Sequence, residues 1–564
     1  MAKPAPLTQL ELHRYREPLR AILSEVAALG EMSERRLASI LRRHPRDGNG
    51  VFSKNHLVAG YRHLAATGEI ASDEELLRRI QMRPVRTSSG VTPVTVLTKP
   101  YPCPGRCIFC PTDLRMPKSY LRDEPGAMRA EQHGFDPYEQ TAGRIAAFSS
   151  NGHPADKIEL LVLGGTWSSY PRDYQEYFIQ RCLDAMNERG EAADSRSSGT
   201  ASEASGSLEE AQRRNENAAC RNVGLVLETR PDHLSLEELR HLRRLGATKI
   251  QMGAQSLDNR ILQLNQRGHS VEDTRVAMTR LRAAGFKLVL HWMPNLYGAT
   301  PSSDLEDFQK LFSDPALRPD ELKIYPTTLL QNAALYEVWL QGKYQPYDDD
   351  TLIELVIACK ELVPRYCRIN RIYRDIPSTN VVAGCKITNL RQKLATIMKH
   401  SQRRCQCLRC REVRDRVIQT ENLSLNELRY RCRESEEIFL SFDDSTDHCA
   451  GYLRLSLPDH PGRAGGASLG LDELEACALV REVHVYGPAL AIGRELDDSF
   501  AAASQHRGLG RSLLARAEEL ALGHGYSRMA IIASVGTREY YRSHGYRLRG
   551  TYMLKSLRAD SLNH

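Results

Sequence analysis

Three cysteines stand close together in the stretch YPCPGRCIFCPTD at residues 101–113. Cys103, Cys107 and Cys110 form the pattern C-x3-C-x2-C. Three thiolates on one short loop can hold three irons of a 4Fe–4S cube and leave the fourth iron open to a substrate, whereas an electron-transfer ferredoxin supplies four thiolates. The alternatives are a zinc site that takes a fourth ligand from elsewhere, and chance among the 14 cysteines of the chain.

A second thiol group occurs in RRCQCLRCRE, where Cys405, Cys407 and Cys410 have the spacing C-x-C-x2-C. Three thiolates and one further ligand make a tetrahedral structural zinc site. His400 and Cys385 are the candidates for the fourth ligand, and His400 is favoured because it is nearer in the sequence. The alternative is a basic loop with incidental cysteines. A zinc ion here would fix the linker between the regions on either side of it.

Glycines mark two further candidate sites. Gly164 and Gly165 end the predicted strand KIELLVLGG, and a backbone without side chains lets a ligand approach closely, although most such pairs are only turns. The stretch QHRGLGRSLL at 505–514 has the pattern Q-x-x-G-x-G and runs into a helix. The unpaired N–H groups and the dipole of a helix N-terminus suit a pyrophosphate.

The elements that must position these residues change character along the chain. The N-terminal stretches PLRAILSEVAAL, SERRLASILRR and SKNHLVAGYRHLAA have apolar residues at helical spacing. From Thr95, short β-branched strands alternate with charged helices, which predicts parallel strands in an open or closed βα barrel. The predicted strands are 157–165, 222–229, 249–256, 287–294 and 321–327, with helices at 235–246 and 271–285.

Two polar stretches interrupt this pattern. Residues 188–217 are rich in Ser, Ala, Gly and Glu, and we predict a disordered surface loop without chemistry. The Gly-rich stretch DHPGRAGGASLG at 459–470 is predicted to join two strands of the last domain.

Composition narrows the class of protein. A chain of 564 residues with 41% hydrophobic and 26% charged residues predicts two to four globular domains. The start MAKPAPLTQLELHRYREPL lacks the apolar core of a secretory signal, and no run of about eighteen apolar residues predicts a membrane span. We therefore expect a cytoplasmic protein whose cysteines are ligands or buried residues.

The net charge of +7 is uneven, because residues 1–98 hold 15 Lys and Arg against 10 Asp and Glu. The stretch RRLASILRRHPR at 35–46 is an example. Phosphate binding and an ordinary solvated helix surface explain this charge equally well.

The cysteine loop, with Phe109 directly before its last cysteine, resembles the radical S-adenosylmethionine (radical SAM) enzymes. In that family the open iron binds the methionyl amine and carboxylate, Gly164 and Gly165 would lie near the amine, and Glu228 stands where an acid often binds the ribose. The stretches REVHVYG, QHRGLG and GTREYYRSHGY resemble a GNAT-type acetyltransferase with its coenzyme A loop.

Together these stretches, with SYLRDEPGAMRAEQHGFDPYEQT, LGGTWSSYPRDYQEYFI, ETRPDHLS and YRDIPS, resemble the family of the Elongator catalytic subunit and the tRNA uridine(34) acetyltransferases, over residues 99 to 555. The resemblance implies a radical-SAM partial barrel followed by an α+β GNAT domain. It also implies that an adenosyl radical takes hydrogen from the acetyl methyl of acetyl-CoA. The carbon radical then adds to C5 of the wobble uridine, and thioester hydrolysis leaves a carboxymethyl group.

The resemblance further implies a domain plan, cofactors and partners. The regions are 1–94 (helical, tRNA-binding), 95–380 (radical SAM), 381–425 (zinc-binding linker) and 426–564 (GNAT). The partners are the tRNA anticodon stem-loop, an external electron donor, and either a second copy of the chain or Elongator-like accessory subunits. The residues matched to cofactor sites are Lys157, Gly164, Gly165, Thr166, Glu228, Glu482, Val483, His484, Val485, Leu509, Gly510, Arg511 and Tyr541.

The paired Tyr540 and Tyr541 lie where GNAT enzymes place a hydroxyl near the thioester sulfur, which makes them candidate catalytic residues, and the alternative is two core aromatics. Two other functions were weighed for the whole chain. One is a protein lysine acetyltransferase with a merely structural cluster, which would need a base for an amine, and the only suitable acid in REVHVYG is Glu482. The other is a non-enzymatic RNA-binding scaffold.

Overall fold

The structure is a computed structural model that describes residues 7–558, apart from 31, 85–86, 88, 190–205, 415–419 and 488–507. Residues 190–205 of the predicted insertion and the first residues of the QHRGLG motif, 505–507, lie outside the described residues. The prediction of a disordered loop is wrong for the end of this insertion, because Leu208–Asn215 form a helix that Ser207 caps and that buries Leu208 and Ala211 in the core.

The N-terminal region is helical, as its apolar spacing predicts. Four of its helices begin at a side-chain cap, because Thr8, Ser33, Ser53 and Asp73 each accept a hydrogen bond from the first turn. Its apolar faces pack into their own cluster around Leu19 and Leu57. The helices are α1 (Gln9–Arg14), α2 (Arg16–Ala27), α3 (Glu34–Arg43), α4 (Lys54–Ala66) and α5 (Glu74–Ile80).

A parallel sheet follows, and it confirms the predicted open βα barrel. The strands of this part of the chain are β1 (Thr92–Leu97), β2 (Lys157–Leu163), β3 (Arg221–Thr229), β4 (Lys249–Gln255), β5 (Lys287–Trp292), β6 (Glu321–Ile324), β7 (Leu329–Leu330), β8 (Arg368–Ile372) and β9 (Val381–Ala383). The seven-stranded sheet has the order β1-β2-β3-β4-β5-β6-β8, and every neighbouring pair is parallel. The strands β7 and β9 form a small antiparallel pair. The sequence pattern predicted strand structure only from Thr95, within β1, and did not predict β8.

Helices connect these strands. They are α6 (Pro125–Gln132), α7 (Pro137–Ser150), α8 (Arg172–Asn187), α9 (Leu208–Asn215), α10 (Leu236–Arg244), α11 (Asn259–Leu264), α12 (Val271–Ala283), α13 (Pro301–Ser313), α14 (Leu335–Leu340), α15 (Asp349–Leu362), α16 (Leu390–His400) and α17 (Leu408–Arg411). Alternate strand residues such as Val94, Leu160 and Val162 are buried on one side of the sheet, in the same apolar cluster as Phe148 of α7 and Phe178 of α8. The other side is the concave face of the half-barrel.

A second, mixed sheet is built from the C-terminal part of the chain. The strands and helices of this part of the chain are β10 (Ser424–Arg431), β11 (Ser435–Asp443), β12 (Cys449–Pro458), β13 (Arg463–Ala464), β14 (Ala467–Ser468), β15 (Cys477–Val485), α18 (Leu509–Gly523), β16 (Arg528–Ile531), α19 (Arg538–Arg542), β17 (Arg547–Arg549) and β18 (Tyr552–Ser556). The order is β10-β11-β12-β15-β16-β18-β17, antiparallel except for β15 beside β16. The Gly-rich stretch at 459–470 carries the β13–β14 hairpin between β12 and β15.

The two sheets share one apolar cluster, in which Phe286 of the first sheet's region and Leu479 of the second both take part. Buried ion pairs add to this contact. Arg481 of β15 binds both oxygens of Asp320, just before β6, at 2.6 and 2.7 Å, and neither side chain is exposed. The second sheet therefore sits at the amino ends of the parallel strands.

Among the described residues, no helix is both long enough and apolar enough to span a bilayer.

Candidate functional site

The cysteine loop lies at the carboxyl ends of the parallel strands, directly after β1. Main-chain hydrogen bonds hold it to two later segments of the chain. The N–H of Ile108 donates to the carbonyl of Asn265 (3.2 Å), and the N–H of Leu335 donates to the carbonyl of Ile108 (2.8 Å). Tertiary contacts thus fix the loop.

Two buried arginines that sequence reasoning missed lie against this loop. Arg267 Nη1 donates to Cys107 Sγ at 3.4 Å. A hydrogen bond with Cys110 and the charge of Arg267 overcome the effect of burial and lower the pKa of Cys107 to about 5. The same hydrogen bond, together with burial, raises the pKa of Cys110, so Cys107 is favoured as the thiolate of this pair, which is the form that binds a metal.

These arginines also keep donors that no described residue accepts. Arg230 Nη1 and Arg267 Nε are buried without a hydrogen-bond partner in the described part of the chain. Unused cationic donors beside a thiolate loop suit an anionic group bound there. Arg230 directly follows β3, which was the available signal in the sequence, whereas Arg267 follows a short helix and carried no signal.

The Gly164–Gly165 pair lies against the same loop. Both glycines have positive φ (136° and 98°), and a Cβ on Gly164 would overlap the Thr98 hydroxyl. This two-residue segment, called the glycine strap below, therefore requires glycine. Thr166 follows, and its Oγ1 lies 3.6 Å from Cys103 Sγ. The structure thus brings the predicted glycine strap and the cysteine loop together.

Glu228 lies near the carboxyl end of β3 with its side chain 24% exposed. Burial raises its pKa. Its carboxylate lies 3.7 Å from His291 Nδ1, and His291 Nε2 lies 3.1 Å from Gln251 Oε1. Buried polar residues within the strands β4 and β5 were the unused signal for these partners.

Glu482 lies at the opposite, amino-terminal end of the barrel. It pairs with Lys287 at the start of β5, and Tyr452 Oη (2.7 Å) and Arg454 Nε (2.9 Å) donate to it. Burial alone would raise its pKa, but Lys287 and Arg454 lower the pKa of Glu482 to about 2. Glu482 is therefore a fixed anion and a poor base.

Lys157 is the first residue of β2 and lies at this same end. The neighbouring strand β3 contacts the second sheet there, because Ser534 Oγ donates to the carbonyl of Asn222 at 2.8 Å. Burial lowers the pKa of His484 to about 4 against the opposing charges of Glu482 and other carboxylates, so the ring is neutral at pH 7. Lys157 and the predicted coenzyme strand are thus at the same mouth of the barrel.

The N-terminus of α18 meets the end of β15 and α19. A Cβ on Gly510 would lie 2.7 Å from Tyr540 Oη and 3.8 Å from Val485 Cγ2. Gly508 precedes the helix with φ 96°, a left-handed conformation that favours glycine. Gly510 and Val485, two of the predicted coenzyme residues, therefore lie beside the candidate catalytic residue Tyr540 at this helix N-terminus.

The remaining predicted residues of this region differ in exposure. Tyr541 is buried and Tyr540 is 43% exposed, with ring centroids 5.2 Å apart. Burial raises the pKa of both hydroxyls, so both remain protonated and able to donate at neutral pH. Leu509 is buried, Arg511 exposed and Val483 half-buried.

The second thiol group is compact. The ligand atoms of Cys405, Cys407 and Cys410 all lie within 4.8 Å of one another. Thiolates on one zinc ion lie about 3.8 Å apart, so this group fits a single ion. The described residues hold no fourth ligand atom in this group. His400 therefore does not join the thiols as predicted, because it is the exposed last residue of α16.

The thiols of Cys103, Cys107 and Cys110, all of them described, do not close into such a group. Cys107 and Cys110 are hydrogen-bonded to each other, and three thiols on one short loop are the ligand set of a cube with one open iron. With the unused arginine donors and the glycine strap, these residues fit a 4Fe–4S cluster and a cofactor bound on it.

A three-cysteine loop on a parallel half-barrel, with a mixed sheet and a helix that begins at a glycine at its other end, defines a radical-SAM protein fused to an acetyltransferase-type domain. Residues 101–312 match the radical SAM superfamily, and residues 319–400 match the radical SAM C-terminal domain.

Relatives extend the match to most of the chain. The tRNA uridine(34) acetyltransferase of Dehalococcoides mccartyi is 43% identical over 480 residues, which cover 84% of this chain and 99% of the relative. Elongator complex protein 3 of Danio rerio is 34% identical, covering 86% and 87%. The structure of Methanocaldococcus infernus Elp3 lacking residues 1–46 aligns with a TM-score of 0.69 and 36% identity, covering 83% and 99%. The chain belongs to the family of the tRNA uridine(34) acetyltransferases and Elongator complex protein 3, and the predicted resemblance is confirmed.

Proposed function

We propose that this protein is a tRNA-modifying acyltransferase that installs a carboxymethyl group at C5 of the wobble uridine. The observation that supports the proposal is that the two groups of residues predicted to bind cofactors lie at the two ends of one sheet. The cysteine loop lies at the carboxyl ends of the strands, and the residues matched to acetyl-CoA lie at their amino ends. A relative that is 43% identical and named tRNA uridine(34) acetyltransferase supports this assignment.

In this proposal the thiolates of Cys103, Cys107 and Cys110 hold a 4Fe–4S cluster. When bound, the cluster supplies the electron that cleaves S-adenosylmethionine. Gly164 and Gly165 leave room for the methionyl group, and Glu228 accepts a hydrogen bond from the ribose.

At the other end, Lys157 and the segment from Glu482 to Val485 hold acetyl-CoA, and the N–H groups at the start of α18 face its pyrophosphate. Tyr540 and Tyr541 carry protonated hydroxyls beside the thioester, where either can donate a proton to the leaving thiolate. The lysine acetyltransferase alternative needs Glu482 as a base, and a carboxylate held at a pKa of about 2 by Lys287 and Arg454 is unsuited to that role.

We propose that Cys405, Cys407 and Cys410 bind zinc and that the regions 1–94, 95–380, 381–425 and 426–564 serve the four roles expected of them. Exposed arginines of α3, among them Arg35 and Arg42, support a tRNA contact in the first region. An electron donor for the cluster, a cytoplasmic location, and either accessory subunits or a second copy of the chain belong to the same proposal.

The test is an anaerobic reconstitution of full-length protein with iron, sulfide and zinc. Incubation with tRNA, acetyl-CoA, S-adenosylmethionine and a reductant is expected to yield 5′-deoxyadenosine and carboxymethylated uridine, measured by mass spectrometry of the digested tRNA. Acetylated protein lysines without either product would favour the lysine acetyltransferase. The matched control is Cys107→Ala, which lacks one cluster ligand.

A further inference from the structure

The two proposed cofactor sites lie at opposite ends of one strand, β2. Lys157 begins the strand at the end that the second sheet covers, and Gly164 follows its last residue beside the cysteine loop. Six residue steps separate Lys157 from Leu163, about 20 Å at roughly 3.3 Å per residue. A radical formed at one end therefore cannot reach a methyl group that stays at the other.

The concave face of β2 is only partly covered. Lys157, Glu159, Leu161 and Leu163 alternate on this face and are half-buried, whereas the residues between them, Ile158, Leu160 and Val162, are 0–1% exposed under the helices. A strand in a filled barrel would bury both sets of side chains equally. The concave side of β2 therefore borders open space.

The neighbouring strands widen this space. Thr95 of β1, paired with Leu161, is also half-buried. Gly224 of β3 is paired with Glu159 and has no side chain, and a Cβ there would lie 3.3 Å from Glu159 Cγ. Gly224 therefore leaves room for the Glu159 side chain, and the half-buried face continues along the strand to Leu161.

Both ends of the groove lead to the proposed sites. At the amino end, Glu159 pairs with Lys249 at 2.6 Å, and its charge acts on His484 of the predicted coenzyme strand. At the carboxyl end, Leu163 packs against a cluster formed by Leu97, Met116 and Ala127. The carboxyl end of the groove is therefore lined by apolar side chains.

Resting on the proposed function, we infer that this groove is the passage along which the acetyl-bearing arm of acetyl-CoA reaches the adenosyl site. The arm is an extended chain of roughly five residue-lengths, about 17 Å, which matches the length of the strand. Its methyl end would lie near Leu163 while the pyrophosphate stays at α18. Leu161 then lies midway and controls whether the arm can pass.

Affinity labelling tests the passage without tRNA or S-adenosylmethionine. Reconstituted Leu161→Cys protein is treated with chloroacetyl-CoA, whose methylene carbon forms a bond with the thiolate as chloride leaves. The matched control is Leu160→Cys, on the helix-covered side of the same strand. Peptide mass spectrometry is expected to show at least about ten-fold faster modification at position 161, suppressed by excess acetyl-CoA.

Isothermal titration of acetyl-CoA separates the two ways in which this experiment can fail. Intact binding without modification of residue 161 overturns the passage and leaves the proposed function standing. Absence of binding overturns both.

A second pair of variants measures passage in the turning-over enzyme. Leu161→Phe narrows the groove, and Leu161→Met keeps its volume. With trideuteroacetyl-CoA, we expect the methionine variant to transfer deuterium to 5′-deoxyadenosine as the parent does. The phenylalanine variant should lose at least about ten-fold of this transfer while still cleaving S-adenosylmethionine. Equal transfer in both variants would place the route of the arm elsewhere.

Discussion

The charged side chains at the two ends of the parallel sheet differ in whether they have partners. At the carboxyl ends, Arg230 and Arg267 reach the cysteine loop with nitrogens that no described residue accepts. At the amino ends, carboxylates of both sheets are shared between cations: Asp320 lies within 4 Å of Arg481 and Arg454, and Glu482 is bound by Lys287 and Arg454. The carboxyl ends therefore have donors that are available to a ligand, whereas the ion pairs at the amino ends join the two sheets.

This difference separates binding from stability. Removing a ligand residue at the carboxyl end should abolish a cofactor and leave the fold intact, whereas breaking a pair at the amino end should weaken the fold and leave the cluster in place. Five measurements test this contrast.

Cys107→Ala should have the largest effect on function. With one of three thiolates missing, iron content should fall to below about a tenth of the parent value and product formation should cease. Zinc content and melting temperature should stay as in the parent, measured by elemental analysis and calorimetry. A variant that kept its iron would remove the cysteine loop as the cluster site.

Arg481→Met should have the largest effect on stability. It leaves Asp320 buried without its main partner, which costs about 3–5 kcal/mol of unfolding free energy in denaturant titrations. Asp320→Asn in the same chain should restore about 1–2 kcal/mol, because it removes the unpaired charge and keeps an acceptor for the N–H of Leu288. Iron content should not change, and a loss of iron would contradict the separation of the two ends.

Cys407→Ser tests the compact thiol group. We expect loss of zinc, retention of iron and a destabilisation of about 2–3 kcal/mol. A zinc chelator should lower the melting temperature of the parent and leave that of the variant unchanged. If the parent holds no zinc after purification without chelators, the group is not a metal site.

Lys157→Ala tests the amino-terminal mouth. Loss of one charge-assisted hydrogen bond should raise the Kd for acetyl-CoA about ten-fold, or about 1.4 kcal/mol, by isothermal titration. Lys157→Arg keeps the charge and should recover part of the affinity. Cleavage of S-adenosylmethionine without acetyl-CoA should be the same in all three proteins, and a fall there would place Lys157 in the wrong site.

His484 should give the smallest effect, seen only in acid. Its folded pKa of about 4 lies below the value of about 6.5 for an unfolded chain. The unfolded state therefore binds the proton first, and stability contributed by the neutral ring is present above pH 6.5 and lost as the pH falls towards 4. His484→Gln should reduce this loss by about 1 kcal/mol between those pH values in denaturant titrations. Parallel curves for parent and variant would contradict the burial of this ring.

The sequence predicted most of the helices and strands, and it predicted the cysteines and glycines of the site but not the arginines beside them. The strand at 157–165 was predicted and is observed as Lys157–Leu163, since alternating apolar residues are a local signal. The strand Arg368–Ile372 was missed because RINRI carries three polar residues in five. Arg267 was missed because its contact with Cys107 joins residues 160 positions apart.

The sequence alone establishes the features that depend on short spacing. These are two groups of three cysteines, the glycine strap after a strand, and a helix that begins after a glycine. These are local properties, since a few bonds of backbone fix how close neighbouring ligands can come.

Three features depend on the tertiary structure: the two candidate cofactor sites lie at opposite ends of β2, Arg481 pairs with Asp320, and His400 is not in the thiol group. Such contacts depend on strand order and on how one sheet docks on another. Side-chain periodicity records which face of an element is buried but not what covers it.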